Sequence, residues 1–253
     1  MNPGQSALGT WDVGAQHNPT ITKIDGLFVL IYHSNEATIE DRARKSHKIG
    51  MMTSKSVNGP WEKIGMVLAP PSDTDITIWS HKNIGGVDNP ALVKGPNGKY
   101  YLYYRAKWNG LEGDNTYGVA IADKLEDPYV HYPKRVINNT RYVEDPYVFV
   151  YKNTFYMLVT DNYRGQGLLL TSQDGLHFEF EEAVFGFDKM NSYIPPEKVD
   201  ASPNYRGAKF ERPQLLMKDG IPTYMYAPGG VNVNGGKGTC CYLFKISNLS
   251  HNE

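Results

Sequence analysis

Apolar and polar residues alternate along much of this chain in short runs, with the period of two that places successive side chains on opposite faces of a β-strand. Four segments follow one order: a polar residue and a proline, an alternating apolar strand, a short turn, and a second strand rich in tyrosine and phenylalanine. They are HNPTITKIDGLFVLIY from His17, DNPALVKGPNGKYYLYY from Asp88, EDPYVFVYKNTFYMLV from Glu144 and ERPQLLMKDGIPTYMY from Glu211. Their prolines, Pro19, Pro90, Pro146 and Pro213, stand 56 to 71 residues apart. The links Asp25-Gly26, Gly95 to Gly98, Lys152-Asn153 and Lys218 to Gly220 are hairpin turns by length and residue type. A third strand follows each hairpin (KIGMMTS, YGVAIAD, GLLLTS, CCYLFKI), and the first three are followed by a candidate fourth (SVNGPWEKI, EDPYVHY, QDGLHFEF). Antiparallel units repeating at this period predict an all-β chain, a β-propeller forming a single domain over residues 1–253, with blades starting near 17, 88, 144 and 211. Each proline suits the first residue of a strand, because it lacks an N–H, and it is expected to hold the residue before it extended.

Composition narrows the partners. Among 253 residues there are 18 Tyr, 25 Gly and 16 Pro, a profile of aromatic strands broken by turns that leaves little room for helices. With 26 Lys plus Arg against 27 Asp plus Glu there is no basic field to collect phosphates, so nucleic acid is not expected as a partner. No apolar run is long enough to span a bilayer, and the opening MNPGQSALGTW lacks the basic and apolar regions of an export signal. The chain therefore reads as soluble, without a membrane partner. It would be cytoplasmic if complete, and periplasmic or secreted if an N-terminal segment is missing. Cys240 and Cys241 are adjacent and match neither a disulfide framework nor a zinc spacing; they read as strand residues, one facing the core.

In a propeller the first strand of each blade lies nearest the axis, so the strand starts converge on one mouth. The residues there are His17 and Asn18, Asp88 and Asn89, Glu144 and Asp145, and Glu211 and Arg212. Carboxylates brought together repel and separate their pKa values, which provides the acid and base that cleavage of a glycosidic bond requires.

These strand starts, with EDPYVFVYKNTFYM and KFERPQLLMKDGIPTYMY, make the sequence resemble the five-bladed β-propeller glycosidases around glycoside hydrolase families 43 and 117. The resemblance runs from Trp11 to Ile246. It implies a glycosidase, in many members inverting, with a carboxylate base, an orienting Asp and a Glu acid on successive innermost strands. Carried over by position, Asp145 is the orienting aspartate and Glu211 the proton donor. The position of the base in the simplest register is Asn18, an amide that cannot take a proton at neutral pH. Asp88, at the same mouth, is the preferred substitute. Asp12 is the reserve, since Trp11-Asp12 precedes Asn18-Pro19 much as Trp79-Ser80 precedes Asn89-Pro90.

Substrate contacts are expected from His17, Asn18, Arg212, Trp79 and Lys209, with Trp108, Tyr163, Tyr193 and Tyr205 as further aromatic faces. The long loop from about Gly186 to Gly207 leads into Lys209 and Glu211 and reads as a pocket wall. Lys209, Arg206 and Arg212 would suit an acidic or sulfated sugar. No cofactor is expected; His17 is the residue placed for an axial metal, without a ligand spacing to support one. Two other readings stay open: a phosphorylase of the family 130 type, and a glycan-binding propeller that has lost catalysis. The partner in every case is a carbohydrate, with self-association into a homo-oligomer left open. Four visible blades against the five of the resembled families predict either a four-bladed ring or a five-bladed propeller short of one blade.

Overall fold

The computed structural model describes residues 10–14, 16–36, 47–82, 85–107, 115–137, 143–161, 166–186, 212–233 and 236–246. They form fifteen strands, and no helix occurs among them. Strands β1 (His17–Ile24), β2 (Leu27–Ser34), β3 (Lys48–Ser54) and β4 (Glu62–Leu68) make the first sheet in chain order. The second is β5 (Asp88–Lys94), β6 (Tyr100–Lys107), β7 (Asn115–Ala122) and the two-residue β8 (Val130–His131). The third is β9 (Val143–Tyr151), β10 (Thr154–Asp161), β11 (Gln166–Ser172) and β12 (Glu179–Gly186). A fourth sheet has three strands, β13 (Gln214–Lys218), β14 (Ile221–Val233) and β15 (Gly236–Lys245). The four repeats are thus four antiparallel sheets. Both cysteines lie in β15, where Cys241 is exposed and the side chain of Cys240 falls outside the described residues.

The turns follow from their residues. Asp25-Gly26, Lys152-Asn153 and Asp219-Gly220 all have positive φ, between 46° and 82°, as the tight hairpin turn that matches strand twist demands. Asn, Asp and Gly tolerate that region; Lys152 is there at greater cost.

The chain divides into two compact units, Met1–Tyr142 with Ser172–Phe178, and Val143–Thr171 with Glu179–Glu253. In the first unit, Val29, Ile31, Ile49 and Met51 of one sheet and Leu92, Leu102, Tyr104 and Ala120 of the next form one buried cluster. Each large side chain in it contributes roughly 1.5–3 kcal/mol by leaving water. Tyr103, on the opposite face of β6, donates to the Gly175 carbonyl at 2.8 Å and meets the Phe178 ring edge-on. In the second unit Tyr147, Leu158 and Ala227 are buried, with Phe149, Leu215, Met225, Tyr242 and Phe244 packed around them.

Two glycines hold a repeated device. Gly50 lies opposite Tyr32, and Gly118 opposite Tyr104. A Cβ on Gly50 would come within 2.5 Å of the Trp11 ring and 2.8 Å of Tyr32; one on Gly118 would meet Tyr104 at 2.8 Å and Trp79 at 3.0 Å. In both blades a tryptophan from the preceding segment therefore lies where only glycine leaves room. Trp11 stacks on Tyr32 with ring centroids 5.9 Å apart.

Candidate functional site

The polar residue and proline at the first three strand starts turn out to encode a β-bulge. Pairing of β1 with β2 runs regularly from Ile24↔Leu27 to Thr20↔Ile31, then shifts so that His17 faces His33. The same shift sets Asp88 against Arg105, after Ala91↔Tyr103, and Glu144 against Thr160, after Tyr147↔Leu158. One extra residue sits in the inner strand each time, and the slip changes which side chains face each other across the pair. The residue before the proline does not take the extended geometry that the pre-proline rule predicts. Asn18, Asn89, Asp145 and Arg212 have φ of 48°, 44°, 55° and 50°, all left-handed. At the first three the bulge goes with that conformation, and short Asn and Asp side chains accept it most readily.

In the first unit the bulges gather a polar cluster. The His33 ring, 5% exposed, lies between those of His17 and His47, at centroid distances of 5.5 and 5.0 Å. The Asn89 backbone N–H donates to His33 Nδ1 at 3.2 Å, so the proton of that imidazole is on Nε2. Burial, with His47, His17 and Arg105 nearby, outweighs the pull of Asp88 and lowers the His33 pKa to about 3, so the ring is neutral. The side-chain amide of Asn18 donates to Asn89 Oδ1, tying the two bulges together.

Asp88 is held from two sides. Arg105 Nε and Nη2 donate to its two carboxylate oxygens at 2.8 and 2.9 Å, the two-pronged arrangement arginine favours. His47 Nδ1 lies 3.8 Å from Asp88 Oδ2, and the backbone of His47 receives the Val87 N–H at 2.9 Å. Burial works against the charge on Asp88, but the Arg105 guanidinium and the contact with His47 overcome it and hold the carboxyl well below the usual carboxylate range. A carboxylate so held is a fixed negative charge and a weak base.

Asp12 is sequestered elsewhere. It is 1% exposed, receives the Tyr32 hydroxyl at 3.0 Å, and lies 2.6 Å from Lys63 Nζ. Burial, and then the bond to Asp12, push the Tyr32 phenol up, so it remains a donor. Ser80 stands in the same position toward Tyr104, the two hydroxyls 3.5 Å apart with either able to donate. The echo between Trp11-Asp12 and Trp79-Ser80 is thus one of blade packing. Trp79 belongs to the same device: it packs against the core of the first unit, and its backbone N–H donates to the Pro133 carbonyl at 3.0 Å.

In the second unit Asp145 is buried and meets Arg212, whose Nε is 3.5 Å from Asp145 Oδ1 with the guanidinium side chain 52% exposed. Glu211, Lys209, Trp108, Tyr163, Tyr193, Tyr205, Arg206 and nearly all of the loop after Gly186 lie outside the described residues. His33, His47 and Arg105 were not singled out by sequence. Hairpin arithmetic would reach only their neighbourhood: strict register from the Asp25-Gly26 turn puts Ser34 opposite His17, and the bulge replaces it with His33. Among the described residues no set of three or more His, Cys, Asp or Glu side chains is arranged to hold a metal ion.

No protein-family model matches the chain. Among curated proteins it is similar to "Probable arabinan endo-1,5-alpha-L-arabinosidase C" of Aspergillus flavus and of Aspergillus oryzae, 29% identical over 126 residues in each case. The match takes in 49% of this chain, which spans only about a third (33%) of that relative. Among solved structures, a family 117 glycoside hydrolase of the marine bacterium Zobellia galactanivorans superposes with a TM-score of 0.65 at 17% identity. It covers 96% of this chain and 64% of its own. An exo-1,5-alpha-L-arabinanase from a bovine ruminal metagenomic library gives 0.58 at 16%, covering 92% and 74%, and a xylan beta-1,4-xylosidase of Bacillus halodurans gives 0.60 at 18%, covering 93% and 42%. Likeness at this level of identity shows the fold: the four sheets are blades of a β-propeller of the kind found in families 43 and 117.

Proposed function

We propose that this propeller is a glycoside hydrolase that cleaves a plant or algal oligosaccharide or polysaccharide with water as acceptor, inverting the anomeric centre. The observation that carries the reading is the bulge repeated at the strand starts, which seats Asp88 and Asp145 in the first strand of their sheets, on a fold shared with solved structures that are glycosidases by name. In the step proposed, the bond from the anomeric carbon to the leaving oxygen breaks as Glu211 gives that oxygen its proton. The oxygen of a water molecule bonds to the anomeric carbon from the opposite face, and Asp88 takes the water's proton. Asp145 orients the acid. His17, Asn18 and Arg212 lie beside these carboxylates in sequence and are assigned to hold sugar hydroxyls. Arg105 fixes the direction of Asp88 at the expense of its basicity.

Reducing-end release from 1,5-α-arabinan, xylan and β-1,3-galactan, with and without added phosphate, tests this. Glu211→Gln is expected to lower release by roughly 10²- to 10⁴-fold, the usual size of a general-acid contribution. Parental rates in that variant sink the assignment, and turnover that requires phosphate points to a phosphorylase.

A second reading, a glycan-binding propeller without turnover, is favoured by one pair of facts: Asn18 is an amide, and Asp88 is tied to Arg105. Saturable binding of one of these glycans, undiminished in an Asp88→Asn, Asp145→Asn, Glu211→Gln variant and with no release by the parent, would decide for it.

A further inference from the structure

We infer that His33 is a sugar-binding residue, its Nε2–H offered as a fixed hydrogen-bond donor to a hydroxyl oxygen of an uncharged glycan at the starts of the first two inner strands. This rests on the proposed glycan site and adds to it a residue and a substrate class. Three observations carry it. The Asn89 N–H uses His33 Nδ1 as an acceptor, which assigns the ring proton to Nε2 by geometry alone. Nε2 meets no hydrogen-bond acceptor among the described residues, and although the ring as a whole is 5% exposed, that atom is not among the fully buried ones, so the donor is within reach of a ligand. The ring is also immobilised between His17 and His47, so the donor loses little freedom on binding.

The class of acceptor follows from the surroundings. Asp88 is the nearby anion, and both its oxygens are occupied by Arg105, so the pair presents no uncompensated positive charge to a second anion. A neutral hydroxyl oxygen fits beside a neutral imidazole donor. A carboxylated or sulfated sugar would lie against Asp88, so the acidic substrate suggested by Lys209, Arg206 and Arg212 does not fit this end of the site.

Two substitutions separate binding from scaffolding. In His33→Asn the side-chain oxygen can replace Nδ1 as acceptor for Asn89, but the Nε2 donor is gone. In His33→Gln the amide can replace the Nε2 donor, but the Nδ1 acceptor is lost. Arabino-, xylo- and β-1,3-galacto-oligosaccharides serve as probes with the full chain, read by calorimetric affinity and, where release occurs, by kcat/KM. Nitrogen-15 spectra of histidine-labelled parent protein follow the His33 Nε2–H signal during titration.

The expected result is that this signal moves on saturation with a probe that binds, that His33→Asn weakens binding at least 10-fold with Tm within a few degrees of the parent, and that His33→Gln restores part of the affinity. A stationary signal at saturation, parental affinity in His33→Asn, or binding of none of the three neutral probes overturns the inference. The spectra use unaltered protein, so a variant that fails to fold does not decide the matter. Turnover without any His33 response sinks this inference and leaves hydrolysis standing; a His33 response without turnover does the reverse.

Discussion

Asp88 and Asp145 occupy the same kind of bulge at the start of an inner strand, yet the chain secures them in opposite ways. The arginine of Asp88 comes from its own sheet, directly across the hairpin, and meets both oxygens at 2.8 and 2.9 Å. The arginine of Asp145 comes from the start of the following blade, approaches one oxygen at 3.5 Å, and is about half exposed. A partner supplied by strand register is fixed as soon as the hairpin forms. One supplied from 67 residues further along depends on how the next blade is seated. The first arrangement gives a rigid charge of low basicity; the second leaves a buried carboxylate with an adjustable neighbour, better suited to a group that must respond to substrate.

Removing each arginine is the strongest test of that contrast. Arg105→Leu strands a largely buried carboxylate, and breaking a buried pair from one side costs about 3–5 kcal/mol. Arg212→Leu removes one half-exposed contact at 3.5 Å from a buried carboxylate that keeps other interactions, and should cost less, about 1 kcal/mol. Urea unfolding of the two variants measures the difference. Equal losses would mean that the bidentate pair is no more stabilising than the exposed one.

Acid should act on the first unit before the second. Above pH 6.5, His33 is neutral whether folded or unfolded and makes no difference to stability. Below that, unfolded histidine takes up a proton, while folded His33, with its pKa lowered to about 3, does not; the unfolded state gains, and stability falls as pH falls toward 3. One such group gives a slope of at most about 1.4 kcal/mol per pH unit. Asp88, whose folded pKa is depressed, contributes stability that is intact above the unfolded carboxylate value of about 3.9 and is lost below it, in a lower window. Opposite Glu144 the bulge places Thr160 rather than a histidine, so hydrogen exchange should show opening of β1, β2 and β5 first between pH 6.5 and 4.5. Equal protection in β9 and β10 across that range would remove the distinction. His33→Asn should flatten the slope.

The contrast also marks what a sequence can disclose. Four hairpins, their turn residues and most third and fourth strands were legible because period-two alternation and Asp-Gly turns are local signals. The strand starts stood out because a polar residue before proline recurs at each. Their conformation did not: the steric rule for a residue before proline predicts extension, and tertiary pairing overrides it with a bulge that Asn and Asp can enter. That single slip hid His33 and Arg105 as the residues facing His17 and Asp88. The Trp11-Asp12 and Trp79-Ser80 echo is real and goes with tryptophan packing over Gly50 and Gly118, where Asp12 meets Tyr32 and Lys63.

The smallest expected effect separates backbone from charge. Three of the left-handed positions carry the short residues Asn18, Asn89 and Asp145, whereas the fourth carries Arg212 at φ 50°. A long side chain gains nothing locally there, and Asn enters that region more easily by a fraction of the 1–2 kcal/mol that left-handed geometry costs other residues. Its exposed contact with Asp145 is worth at most about as much. Arg212→Asn should therefore leave unfolding stability within about 1 kcal/mol of the parent, with the change tending toward stabilisation. Salt should distinguish the two contributions, because it screens the exposed pair and leaves backbone strain untouched. If Arg212→Asn gains relative to the parent as salt rises, Arg212 is retained for its charge beside Asp145 against the preference of its own backbone. A loss well above 1 kcal/mol at every salt concentration would instead give Arg212 the same structural weight as Arg105 and erase the difference between the two strand starts.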